Sequence, residues 1–121
     1  MKSQKTRIGL KLPSYNEYNT AMRKHRQVGA AMKVEVESSI AWYLKKLQRV
    51  SRPVHVTFVW HEENRKRDKD NVAFAKKFIF DALVTAGVLP DDGWRWVDGF
   101  ADKFEVDRED PGVTIIIEEI E

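Results

Sequence analysis

Two stretches of this chain repeat their apolar residues at helical spacing, and both lie between stretches that repeat them at every second residue. That switching of period restricts the chain to a sheet with helices packed against it. Residues 6–12 put Ile8, Leu10 and Leu12 on one side of a strand, which Pro13 ends. Residues 13–26 keep no period and read as a long loop rich in Asn, Tyr and base. From Gln27 to Leu47, Val28, Met32, Val36, Ile40, Leu44 and Leu47 form the stripe of a helix, with Pro53 beyond its end. Residues 54–61 put Val54, Val56, Phe58 and Trp60 on one face of a strand and a mixed set, His55, Thr57, Val59 and His61, on the other. Glu62–Asn71 has no apolar side chain. A second helix follows, with Val72, Ala75, Ile79, Leu83 and Ala86 as its stripe, Asp70 or Asn71 at its start and Gly87 at its end. A turn over 88–93, a short strand near 95–98 with an irregular extension, a Pro111–Gly112 turn and a last strand around Val113, Ile115 and Ile117 complete the chain. The expected order is β-α-β-α-β-β. This is an α+β fold, a small mixed sheet covered by two helices, with residues 1–121 forming one domain.

Composition removes several chemistries. There is no Cys, so disulfides, thiolate nucleophiles and thiolate-bound metals are out. The three His, at 25, 55 and 61, make no helical pair. No apolar run approaches a membrane span, and the N-terminus lacks the apolar core of a signal peptide, so a soluble, cytoplasmic protein with no membrane partner is expected. The net charge of +2 conceals a division. Residues 1–80 carry 18 Lys/Arg against 7 Asp/Glu, whereas residues 81–121 carry 3 against 12. Such asymmetry suits a polyanionic partner, and nucleic acid is the commonest one. Neutralisation of one tract by the other within the fold explains it as well.

The residues that suggest chemistry flank the second helix. Asp68 and Asp70 are two apart, so in an extended segment their carboxylates point the same way and repel unless a cation lies between them. Hard divalent cations such as Mg²⁺ or Mn²⁺ suit all-oxygen donors. Asp91 and Asp92 follow the helix, where a returning chain could bring them near the first pair. On a continuous helix Lys77 lies only about 20° from Asp70 in projection and about 10 Å along the axis, and Asp81 lies one turn further on. Plainer readings fit too: Asp68 and Asp70 as cap and solvated charge, Asp91–Asp92 as turn chemistry, Lys77–Asp81 as a surface pair, and Trp60, Trp94 and Trp96 as core or interface. A calcium loop counted from Asp68 fails, because Ala73 and Ile79 stand where Gly and Glu are required.

Taken together, Asp68–Lys69–Asp70–Asn71, the helix ending Phe80–Asp81–Ala82–Leu83–Val84–Thr85–Ala86–Gly87, and Val88–Leu89–Pro90–Asp91–Asp92 resemble the signature of RusA-type Holliday-junction resolvases. The likeness extends to the Pro13–Ser14–Tyr15–Asn16 segment. It implies a metal-dependent endonuclease, homodimeric and often phage- or prophage-borne, that cuts four-way DNA junctions symmetrically. In that reading Asp68, Asp70 and Asp92 are the acidic ligands of Mg²⁺ (or Mn²⁺), Asp91 supports them, and Lys77 is the catalytic lysine. The stretch between Asp70–Asn71 and Phe80–Asp81 is about three residues longer here than the family pattern, which leaves Lys76 open. Arg65, Lys66, Arg67, Lys69 and Asn71, with Asn16, Arg23, Lys24 and Arg26 from the first loop, are the expected DNA contacts. No small-molecule cofactor is expected. A non-catalytic nucleic-acid-binding module and a small-molecule phosphohydrolase are the rival readings.

Overall fold

β2 (Val54–Glu62) is the spine of the protein. In the computed structural model, which describes residues 2–121, it pairs antiparallel with β4 (Gly112–Glu119) on one side and parallel with β3 (Val97–Val106) on the other. β1 (Ser3–Ile8) adds antiparallel to β4, so the strand order is β1-β4-β2-β3 in one mixed sheet. The alternation in β2 does what the sequence implies. Val54, Val56 and Phe58 are fully buried and Trp60 nearly so, beside Ile115, Ile117 and Val113 of β4.

The helices cover this face. They are α1 (Tyr15–Lys24), α2 (Arg26–Tyr43), α3 (Lys69–Ala73) and α4 (Lys76–Thr85). α4 supplies Phe78, Ile79, Ala82 and Leu83 to the core, and α2 supplies Ile40 with Leu44 just beyond it. Gly87 has φ +78°, the left-handed conformation that ends a helix and that glycine adopts without a Cβ penalty. The fold is therefore α+β, a mixed four-stranded sheet with helices on one side. The other side presents Lys5 and Arg7 of β1, Thr114 and Ile116 of β4, Thr57, Val59 and His61 of β2, and Ala101, Lys103 and Glu105 of β3, which the register aligns in rows. On it His61 Nε2 meets Thr114 Oγ1 at 2.7 Å while Nδ1 meets Glu105.

Several boundaries differ from the sequence reading, each for a physical reason. The segment 13–26 is mostly helix. Ser14 Oγ accepts from the Glu17 N–H at 3.2 Å and the Glu17 carboxylate accepts from the Ser14 N–H, a full capping box, although α1 buries only Ala21 and so shows little apolar period. His25 alone separates α1 from α2, and its Nδ1 accepts from the Gln27 N–H at 3.1 Å. Gly29 lies so close to Met22 that a Cβ would sit 2.0 Å from the sulfur, which lets the two helices cross tightly. β1 ends at Ile8, so Leu10 and Leu12 lie beyond the strand, and α2 ends at Tyr43, short of Leu47. Val28 and Ala86 are exposed and leave their expected stripes. β3 is ten residues long and begins at Val97. Its helix-facing row, Phe100, Asp102, Phe104 and Val106, is interrupted by the half-buried charge of Asp102.

Candidate active site

The second helix is two helices. Between Phe74 and Phe78 the backbone tightens, with Ala75 N donating to Val72 O at 3.2 Å, Lys77 N to Phe74 O at 3.1 Å and Phe78 N to Ala75 O at 3.0 Å. These i→i+3 bonds wind about 120° per residue instead of 100°. The alignment of Lys77 with Asp70 drawn for a continuous helix therefore does not carry over unchanged.

At the start of this unit, Asp68 is the N-cap of α3, yet its carboxylate makes no capping hydrogen bond. Asp70 accepts only the N–H of Asn71, at 3.0 Å. Both side chains are exposed. Asp68 borders an open cleft of about 440 Å³ with Arg65, Arg67, Lys69, Phe104 and Glu105. Lys69 Nζ stands 5.5 Å from the Phe104 ring. Arg65, Lys66 and Lys69 are exposed and in no ion pair among the described residues. Arg67 differs. Its Nε and Nη2 donate to the two Glu62 oxygens at 2.9 and 2.8 Å, and Nη1 donates to Glu17 at 3.0 Å and to Leu12 O at 2.9 Å. The Glu62 hydrogen bonds hold its pKa above the ordinary arginine value against the opposing effect of burial. This guanidinium ties the end of β2, the start of α1 and the loop before it into one unit, immediately ahead of Asp68.

After the helix, Asp91 Oδ1 accepts the Asp92 N–H at 2.8 Å, ordinary turn chemistry, whereas the exposed Asp92 carboxylate has no hydrogen bond or salt bridge among the described residues. The chain does return towards the helix. Lys77 Nζ bonds Asp81 Oδ1 at 3.2 Å, and its pKa lies above the ordinary lysine value, first through that hydrogen bond and then through the charges of Asp81, Asp92 and Glu37, with burial opposing. Lys33 reaches the other Asp81 oxygen at 3.6 Å. Burial raises the Glu37 pKa, against the lowering effect of Lys33. Lys77 therefore stands exposed in an acidic surround. Lys76 points the other way, into a pair with Asp102 whose second donor is Trp60 Nε1 at 2.9 Å, and lies 4.4 Å from the Phe100 ring.

Asp68, Asp70, Asp91 and Asp92 are in no salt bridge among the described residues. Their donor chemistry, all oxygen and anionic, fits a hard divalent cation. No three His, Asp or Glu side chains among the described residues converge tightly enough to enclose an ion. Magnesium does not require such a cage, since it commonly takes one or two carboxylates and completes its shell with water and substrate phosphate.

The remaining expected contacts lie on the α1 side. Asn16 is exposed in the first turn of α1, and Arg23, Lys24 and Arg26 are exposed where α1 gives way to α2. Tyr15 and Tyr18 pack on Phe74 at 5.2 and 5.7 Å between ring centres, which fixes α1 against the α3–α4 junction. Asn71 is half-buried. Sequence reasoning missed the Arg67 clamp and the Trp60–Asp102–Lys76 group, whose partners are far apart in the chain. The capping box was within reach, because Ser14-x-x-Glu17 is its written form.

No helix among the described residues is long and apolar enough to cross a membrane. The family model described as endodeoxyribonuclease RusA matches residues 2–118 of the 121. A search of the curated proteins found no match.

Proposed function

Since the chain belongs to the RusA endodeoxyribonuclease family, we propose that it resolves four-way DNA junctions by divalent-metal-assisted hydrolysis of phosphodiester bonds. The observation that carries this reading is the placement of exposed carboxylates in no salt bridge among the described residues at both ends of the α3–α4 unit, Asp68 and Asp70 before it and Asp91 and Asp92 after it, with Lys77 near enough to feel the charge of Asp92. Asp68, Asp70 and Asp92 would hold Mg²⁺ or Mn²⁺, with Asp91 fixing the turn that carries Asp92. Such an ion supplies charge neutralisation at the scissile phosphate and acidifies water.

The chain's own residues do the rest. Lys77, kept protonated by its acidic neighbours, offers a fixed positive charge to a phosphoryl or leaving oxygen and is no general base. Arg65, Lys66 and Lys69 beside the cleft, and Arg23, Lys24 and Arg26 at the α1–α2 junction, are free to meet backbone phosphates, so binding falls steeply with salt. Arg67 holds the platform that presents Asp68.

Symmetric cutting needs two centres related by a two-fold axis. The sheet face that bears no helix is the surface proposed for pairing two copies. Its middle is small and mostly uncharged (Thr57, Val59, Ala101, Thr114, Ile116), and its margin carries both signs (Lys5, Arg7, Lys103, Glu105).

The test is a synthetic four-way junction incubated with the protein and Mg²⁺, with and without EDTA. Paired nicks that vanish in EDTA are expected. Asp70→Asn should abolish cutting, a loss beyond the roughly 10²–10³-fold of removing one preorganised contact, while junction binding persists. Absence of junction cutting, or cutting that EDTA leaves intact, overturns the proposal.

A further inference from the structure

Trp94 is 100% exposed, alone among the four Trp. Trp60 is in the core, Trp96 is half-buried with the Arg95 guanidinium 5.9 Å from its ring, and Trp42 has Lys45 Nζ 3.9 Å above it. The Trp94 ring has no aromatic or cationic partner among the described residues. The backbone turn that carries it is nonetheless anchored. Trp96 N and Val97 N both donate to Gly93 O, at 3.1 and 3.0 Å, and Trp96 O accepts from Val54 N at 2.9 Å, which anchors the turn to the first residue of β2. The same turn carries Asp92 two residues earlier, within the field of Lys77.

A bare indole on an anchored turn, two residues along the chain from an acid assigned to the reaction, has the chemistry of a base-stacking surface. We propose that Trp94 stacks on an unpaired or unstacked base at the junction branch point and so sets the scissile phosphate at Asp92. The inference rests on the junction-resolving reading and adds a substrate-positioning residue to it. A continuous duplex offers no free base face along its length, whereas a branch point does, so the contact favours branched over linear DNA. Base–aromatic stacking gains about five- to a hundred-fold in affinity per base and tolerates any sequence.

The experiment uses a four-way junction with 2-aminopurine at the branch point, and a duplex with the same base internally, titrated in EDTA so that no cutting occurs. Binding of the unmodified protein should change the junction fluorescence and leave the duplex signal flat. Trp94→Ala should remove the change and weaken junction affinity about five- to a hundred-fold, with thermal stability unaltered. Trp94→Phe should restore most of both. A Trp94→Ala protein that still gives the full fluorescence change overturns the proposal. So does one that sediments as a smaller species, which would make Trp94 a contact between copies. Because the readout needs no divalent ion, a protein that stacks but never cuts refutes the nuclease reading and with it the positioning role, and leaves only the stacking contact.

Discussion

Lys77 extends its ammonium into solvent beside Asp81, with Asp92 near enough to raise its pKa, whereas Lys76 is turned inward onto Asp102 and the Phe100 ring. Adjacent and chemically identical, the two should fail differently. Lys77→Ala is expected to slow cutting roughly 10²–10³-fold with an unchanged melting temperature. Lys76→Ala leaves Asp102 with one donor in a largely buried place and should cost about 1–3 kcal/mol of stability, read by urea unfolding, with a smaller effect on rate per folded molecule. Equal rate losses at unchanged stability would refute the distinction. Because the pKa of Lys77 is raised, its charge persists through neutral and mildly alkaline pH and is lost only above the ordinary lysine range, so it contributes no alkaline limb to the rate at pH 7–9. The sequence favoured Lys77 as the catalytic lysine and left Lys76 open. The fate of Lys76 was illegible there, because its partner lies 26 residues away, in the stretch read only as an irregular extension of the strand near 95–98.

α1 shows what pattern reading overlooks. It buries one residue, so periodicity misses it, yet its first turn is specified by Ser14 and Glu17 and locked by Arg67. Ser14→Ala should cost about 1 kcal/mol, visible as a lower urea midpoint. Burial alone would raise the Glu17 pKa, but the Ser14 N–H and Arg67 outweigh it, and the net shift is downward. A lowered folded-state pKa means stability that is present above the unfolded value and lost as pH falls through the folded one. Glu17→Gln should therefore narrow its stability gap to the parent protein on acidification through that window. A gap that stays constant with pH would count against the clamp. The tightened turns at 74–77 belong to the same lesson. Apolar spacing implied one continuous helix, and only the i→i+3 hydrogen bonds reveal the break between α3 and α4.

At the scale of the whole molecule, the class and the alternation of strands and helices along the chain were legible because β2, β4 and the α4 stripe obey simple periods, whereas the order of strands in the sheet was not read. The parallel pairing of β2 with β3 was not, since it follows from a crossover through α3 and α4 that sequence does not draw. The sheet's uncovered side leads to a direct expectation. Ile116→Glu places a carboxylate in the middle of the proposed pairing face, so sedimentation should report a single copy where the parent is double, and junctions should receive one nick instead of two. A parent that sediments as a single copy, or a variant that remains paired, rules that face out. Arg67 bears on how any such survey is interpreted. It lies among bases that are free to touch DNA, but its guanidinium already joins residues as distant as Leu12 and Glu62. A scan scored only on lost cutting would file it with the phosphate contacts, although what its removal undoes is the alignment of three separate segments, and soluble yield and protease resistance are where that damage would surface first.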